Sequence, residues 1–378
     1  MRVLLLSDRS FSNREHRLLR RLKVGLLDEG VQVVHGIPAE SLKNEPSDLT
    51  QVIAWDDRGR YFTRRGQAAW CVRELQRINL PESHQPTPGP IDVVEVWGDT
   101  AWPMVLEVAV QTEAVVLFHV WRSRSVGLVQ KLERLAEQHH PDLRAVWVTP
   151  DQTTSEQVRT VSRRWPVRAI EWGVHAPATP RPFPRDDATL SACIMASGDD
   201  PEACCRCLEG IAPVVTGMQG EFLLFLDAAA VERHPRVWKA AESAGLLDRL
   251  SVVADVESRR DLVLRADLLL IPEVLRSHRS ILLDAMATGM AVLTPETPDI
   301  DAINDDTALR LTSTAPGAWE EALRRLVDHR ADADQLTRSA HAWVKGHRRV
   351  HEQVRRTLET YDAMFAQEPL EFPDLSAP

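Results

Sequence analysis

The chain has 378 residues, 44% hydrophobic and 26% charged, a balance that suits a globular protein of two domains and excludes collagen-like, disordered and disulfide-stapled classes. Forty-five Lys and Arg against 55 Asp and Glu give a formal charge of −10, at odds with a basic surface that grips nucleic acid. No apolar run approaches the roughly 20 residues of a membrane span, the opening MRVLLLSD is too short for a signal peptide, and an odd number of cysteines, five, points to a reducing, cytoplasmic setting.

Taken in chain order, Val3-Leu4-Leu5-Leu6 is a short apolar run ending at Ser7-Asp8, and predicts a buried first strand. A helix is expected from about Asn13, with Leu18, Leu19, Leu22 and Leu26 on one side and Gly30 as its stop. Val31 to Val34, Val93 to Val96, Val115 to Phe118, Ala145 to Val148 and Val167 to Ile170 read as further strands, and Pro81 to Pro90 as a surface loop. Four prolines between Ala176 and Asp187 predict an interdomain linker. Alternation then restarts with strands at Leu190 to Ala196, Phe222 to Leu226, Leu250 to Ala254, Asp267 to Ile271 and Ala291 to Thr294. Helices fall between them, notably Arg236 to Ala244 and Ser280 to Thr288.

Such alternation predicts an α/β chain of two doubly wound, helix-covered parallel sheets. The expected division is 1–175, a linker 176–187, a second domain 188–345, a helix 346–366 packing back across the domains, and a loose tail 367–378. Ligands of doubly wound sheets bind beyond the carboxyl ends of the strands, here in a cleft between the domains. The first strand-to-helix turn, Ser7 to Asn13, has no glycine, which argues against a nicotinamide or flavin dinucleotide site. Neither a GxxxxGK[ST] phosphate loop nor a GxSxG elbow occurs.

The most informative stretch is DLLLIPEVLRSHRSILLDAMATGMAVLTPE, Asp267 to Glu296. Its Asp284-Ala285-Met286-Ala287-Thr288-Gly289-Met290-Ala291-Val292 resembles the Glu-Ala-Met-Ala-x-Gly helix and following strand of the large retaining GT-B glycosyltransferase family 4. Trp172-Gly173-Val174-His175 is similar to that family's Asn-Gly-Val-Asp, Phe118-His119-Val120 to its strand-end histidine, and Val148-Thr149-Pro150 to its Val-Ser pair before a helix. The resemblance spans nearly the whole chain. It implies a GT-B architecture of two facing Rossmann-like domains and a metal-independent, retaining transfer from a nucleotide-diphosphate sugar to a glycan, lipid or small-molecule acceptor, with no bound cofactor.

The resemblance assigns His119 to the reacting sugar and the start of the Ser280 helix, with Ser280 and Ile281, to the diphosphate; helix N-termini suit anions. Asp284 would take the ribose hydroxyls. The sequence departs from the family pattern where the chemistry lies. Arg276 stands where the first of two acidic residues is usual, and Asp199 where an arginine is usual in Ala196 to Glu202, the stretch that also holds Gly198. The family's glycine-rich acceptor loop is missing. Arg206, Arg276 and Arg279 are candidates to restore positive charge. An alternative reading is a catalytically degenerate relative that serves as a binding or scaffold partner.

Other features have plainer readings. Cys193, Cys204, Cys205 and Cys207 lack paired CxxC spacing and suit buried packing better than a metal. Asp332-Ala333-Asp334 reads as helix surface. Of eleven tryptophans, eight precede the linker; Trp97, Trp102 and Trp121, at strand ends, could stack on an acceptor sugar, though core packing is the commoner use. Arg14, Arg17, Arg20, Arg21 and Lys23 give the first helix a basic side, which suggests either solvation or peripheral contact with anionic membrane.

Overall fold

The structure, a computed structural model, describes residues 1–44, 50–56, 64–78, 91–184, 189–254 and 259–366. The chain divides into two compact units, Met1–Gly173 with Val350–Pro378, and Val174–Arg349. The Pro81 to Pro90 stretch, the end of the Pro-rich stretch at 185–187 and the tail 367–378 lie outside the described residues, Ile91 onward excepted.

In the first unit the strands are β1 (Arg2–Ser7), β2 (Gln32–Pro38), β3 (Gln51–Trp55), β4 (Val93–Trp97), β5 (Val115–His119), β6 (Ala145–Thr149) and β7 (Val167–Ala169). They form one parallel sheet in the order β3-β2-β1-β4-β5-β6-β7. Strands buried on both faces are continuously apolar, and β1, β4, β5 and β6 are buried along their whole length. Val94, Val96 and Phe118 join Trp102, Trp147 and Trp165 in one core layer. Alternation along the strand sends Glu95 and Trp97 to the opposite face.

The first helix runs Arg9–Asp28, starting earlier than its leucine pattern indicates because Asp8 caps it: the carboxylate accepts the Phe11 amide at 2.8 Å. The C-terminal helix, Val350–Ala366, belongs to this unit. It packs so closely on the first helix that a Cβ on Gly25 would lie 2.3 Å from Val354 Cγ2.

The second unit contains β8 (Thr189–Ile194), β9 (Glu221–Asp227), β10 (Leu250–Val253), β11 (Leu268–Leu270), β12 (Ala291–Pro295) and β13 (Leu309–Leu311). These are also all parallel, in the order β10-β9-β8-β11-β12-β13. The described part of the Pro-rich stretch packs onto this unit rather than hanging free. Phe183 is buried in the unit's core, and the Arg181 amide donates to the Thr288 carbonyl at 3.2 Å. In each sheet the connection order reverses beside the first strand, between β1 and β4 and between β8 and β11. Those two reversal points are where doubly wound sheets hold ligands. Among the described residues, no helix is long and apolar enough to cross a membrane.

Candidate functional site

In the second unit, β8 ends in the turn Ser197-Gly198-Asp199-Asp200, which leads into the helix Pro201–Gly217. Gly198 has φ +76°, and a Cβ there would sit 2.9 Å from the Ala229 carbonyl oxygen, so glycine is required on both counts. The two aspartates have local tasks. Asp200 caps the helix, accepting the Ala203 amide at 3.0 Å, while the exposed Asp199 pairs with Arg233 at 3.0 Å.

Across the reversal point, Glu273 follows β11 and reaches back into this turn. Its Oε2 accepts from Ser197 Oγ at 2.5 Å; its Oε1 accepts from the Gly198 amide at 3.0 Å and, at longer range, the Asp200 amide at 3.4 Å. Glu273 is buried. It is absent from the candidates read from sequence, where nothing about an isolated acidic residue after a strand singles it out. Its environment is acidic: the Cys204 thiol is pushed up to about 12 by burial first, then by Cys205, Glu273, Asp227 and Asp200.

Ser280–Thr288 is a helix, as predicted, ended by Gly289 at φ +88°; a Cβ on Gly289 would lie 2.8 Å from the Arg181 carbonyl oxygen. No side chain caps its start at Arg279, so the first-turn N–H groups are not taken by a capping side chain. Asp284 lies one turn in, buried, and meets a residue the sequence reading missed. Arg260, fully buried, donates Nη1 to Asp284 Oδ2 at 2.7 Å and to Ser280 Oγ at 3.0 Å. Asp284 is therefore held inside the unit by an ion pair rather than left open.

Ser280, Ile281, Asp284 and Arg279 thus share one helix start, all buried. Arg276 is exposed on the preceding loop, and Arg206 is half-buried in the second turn of the Pro201 helix. Among the described residues, no hydrogen bond joins either arginine to Glu273 or to the Ser280 helix.

In the first unit, His119 ends β5 in register with Trp97 of β4. The imidazole stacks on the Trp97 indole with centroids 3.4 Å apart and planes at 17°. Its Nε2 lies 3.2 Å from Glu95 Oε2 but out of line for a straight hydrogen bond. Glu95 is fully buried and accepts from Trp97 Nε1 at 3.0 Å and from the Tyr361 hydroxyl at 2.5 Å. Burial lowers the His119 pKa against the opposing pull of Glu95, leaving a neutral ring at pH 7. At the end of β1, Asp8 also accepts from the Thr100 hydroxyl at 3.1 Å, and burial raises its pKa. Arg122 is buried, donates to Ser10 and lies 3.9 Å from the Trp121 ring centroid. Burial brings its pKa down to about 10.

Several expectations are corrected. Trp97, Trp102 and Trp121 are each 1% exposed, so their indole faces pack in the protein and are not presented to a sugar. Lys23 leaves the basic side of the first helix: it is buried, its Nζ 3.4 Å from His35 Nδ1. All five cysteines are free and buried, and no group of three or more His, Cys, Asp or Glu is arranged to hold a metal among the described residues. Asp334 accepts the Phe183 amide at 3.2 Å and pairs with Arg338, a structural use.

No protein-family model matches the chain, and no curated protein matches it. Solved structures do. Sucrose-phosphate synthase of Thermosynechococcus elongatus aligns over 97% of this chain and 100% of its own, at 13% identity and a TM-score of 0.74. The fold is GT-B. A glycosyltransferase of Rickettsia africae matches over 97% of this chain and 99% of its own, at 12% identity and TM-score 0.72. HepE of Anabaena, solved with UDP and glucose, covers 96% and 100% at 11% identity and TM-score 0.71. At such identities the likeness carries the GT-B architecture and not the activity.

Proposed function

We propose that the protein is a glycosyltransferase that takes a sugar from a nucleotide-diphosphate donor, with retention and without a metal, and passes it to a glycan, lipid or small-molecule acceptor. The observation that carries this reading is the start of the Ser280 helix. It lies at the carboxyl end of β11, at the reversal point of a GT-B unit, with no capping side chain on its first turn. The positive end of the helix dipole favours a diphosphate there. Fixed donors of that kind stabilise the charge of a departing diphosphate without reorganising, which is the main term in such a transfer. Retention and metal independence come from the family resemblance. HepE, with the same fold, was solved with UDP and glucose, which supports a nucleotide-sugar donor. His119, buried and held flat on Trp97, is assigned to the reacting sugar by the resemblance alone, since its ring faces Trp97 in the first unit.

A second reading, a degenerate GT-B protein that binds partners without catalysis, is favoured by Glu273 in the Ser197–Asp200 turn and by the closed Arg260–Asp284 pair. Calorimetric titration of the folded protein with UDP, GDP, ADP and dTDP separates the two. Saturable binding of one diphosphate is expected and names the donor base. Binding of none of them would transfer the conclusion to the second reading.

A further inference from the structure

Phosphate binding in doubly wound folds depends on main-chain N–H groups left without partners where the first strand turns into its helix. In the second unit that turn is Ser197 to Asp200, and it is already filled. The Glu273 carboxylate takes the Ser197 hydroxyl, the Gly198 amide and, more weakly, the Asp200 amide. A buried carboxylate is costly unless hydrogen-bonded, and these donors are what make Glu273 tolerable there. They are also the donors a phosphate would need.

Two of the cations beside this turn are already paired. Arg233 is paired with Asp199 and Arg236 with Glu202. A phosphate entering beside Glu273 would meet the like charge of that buried carboxylate and find the Ser197 hydroxyl and Gly198 amide already taken. Removing the carboxylate reverses both penalties without touching the backbone geometry, which Gly198 fixes through its positive φ.

We propose that Glu273 is a specificity-determining residue of the donor side: its carboxylate excludes phosphate from the Ser197–Asp200 turn and so sets the protein's affinity for diphosphates. The proposal rests on the nucleotide-sugar reading above and adds to it that the Ser197–Asp200 turn is closed to phosphate by an internal anion.

The test compares wild type with Glu273→Gln, which keeps the side chain's size and one acceptor oxygen, and with Glu273→Ala, which empties the turn. Each is titrated calorimetrically with inorganic pyrophosphate and with UDP, GDP, ADP and dTDP, after thermal unfolding has shown that it is folded. Both variants are expected to bind pyrophosphate and one nucleoside diphosphate at least tenfold more tightly than wild type. Adding Ser197→Ala is expected to cut that gain, because the hydroxyl is a donor to the anion. If Glu273→Ala fails to fold, the isosteric Glu273→Gln carries the test alone. Unchanged or weaker affinity in a folded Glu273→Gln overturns the proposal. If wild type meanwhile binds a diphosphate, the nucleotide-sugar reading stands without it; if neither protein binds any of the five, both fall.

Discussion

Replacing Asp284 by Asn tests whether that carboxylate is a structural ion or an open ligand group. Arg260 is 0% exposed and Asp284 4%, and their charged atoms are 2.7 Å apart, so the pair is desolvated. Removing one member of a buried pair leaves an uncompensated charge and costs about 3–5 kcal/mol. In a unit of this size each kcal/mol moves the melting temperature by roughly 2–4 °C, so Asp284→Asn is expected to lower the transition of the second unit by about 6–20 °C. Substituting both residues, Arg260→Met with Asp284→Leu, removes the charges together and is expected to recover most of that loss. Differential scanning calorimetry of wild type, Asp284→Asn, Arg260→Met, Asp284→Leu and the double variant completes the cycle. A single-variant loss below about 1 kcal/mol would refute the reasoning, because it would mean that Asp284 is solvated enough to serve a ribose hydroxyl. Lost donor binding in an Asp284 variant therefore counts as evidence of contact only when that variant's stability is measured beside it.

Gly198→Ala forces a side chain into positive φ against the Ala229 carbonyl and is expected to cost about 1–3 kcal/mol, read from the urea midpoint. His35 is buried, its pKa held well below 6.5 by burial and then by Lys23, so the unfolded chain binds a proton there that the folded chain refuses. Stability is thus retained above pH 6.5 and falls as pH drops below it, by about 2 kcal/mol at pH 5 from this residue; urea unfolding at pH 7.5 and pH 5 checks it, and His35→Gln should flatten the slope by about one proton. With all five thiols buried, Ellman's reagent is expected to label native protein negligibly within minutes at pH 8 and all five cysteines in urea.

Which elements the sequence discloses follows from how each is buried. The strands at the centre of both sheets are covered on two faces, so Val3 to Leu6, Val93 to Val96 and Val115 to Phe118 stand out as unbroken apolar runs. The missed strands are β3, Gln51–Trp55, and β13, Leu309–Leu311, at sheet edges; Arg310 interrupts β13, whereas β3 carries an apolar run, Val52 to Trp55, that is legible in the sequence yet absent from the expected strands. The first helix begins at Arg9 because of Asp8, a local capping signal available in the sequence but masked by the later leucine periodicity. Ser280 to Thr288 was legible to the residue because Gly289 ends it in a conformation that favours glycine. The site is less legible for a different reason. Asp284 on an apolar helix announces a need for a partner, but Arg260 lies 24 residues earlier on another element, beyond any periodic pattern. Glu273 is likewise ordinary in one dimension and meets Ser197 only because β8 and β11 are neighbours.

The two units close their reversal points by the same device. In the first, Asp8 after β1 spends its oxygens on the Phe11 amide and the Thr100 hydroxyl, and Gly98 must be glycine because a Cβ would fall 2.1 Å from Asp8 Cγ. In the second, Glu273 after β11 spends its oxygens on Ser197 and Gly198. In both places a carboxylate satisfies donors that a phosphate-binding loop would leave open, and each is a self-contained part of its unit's own frame. Each unit also carries a helix without a side-chain cap after the strand across its reversal point, Trp102–Thr112 after β4 and Ser280–Thr288 after β11, and it is the resemblance that assigns the diphosphate to the second. On the proposed donor reading, substitutions at the Ser280 helix start are expected to alter nucleoside-diphosphate affinity, measured by calorimetry, more than substitutions at Asp199, whose exposed pairing with Arg233 contributes little.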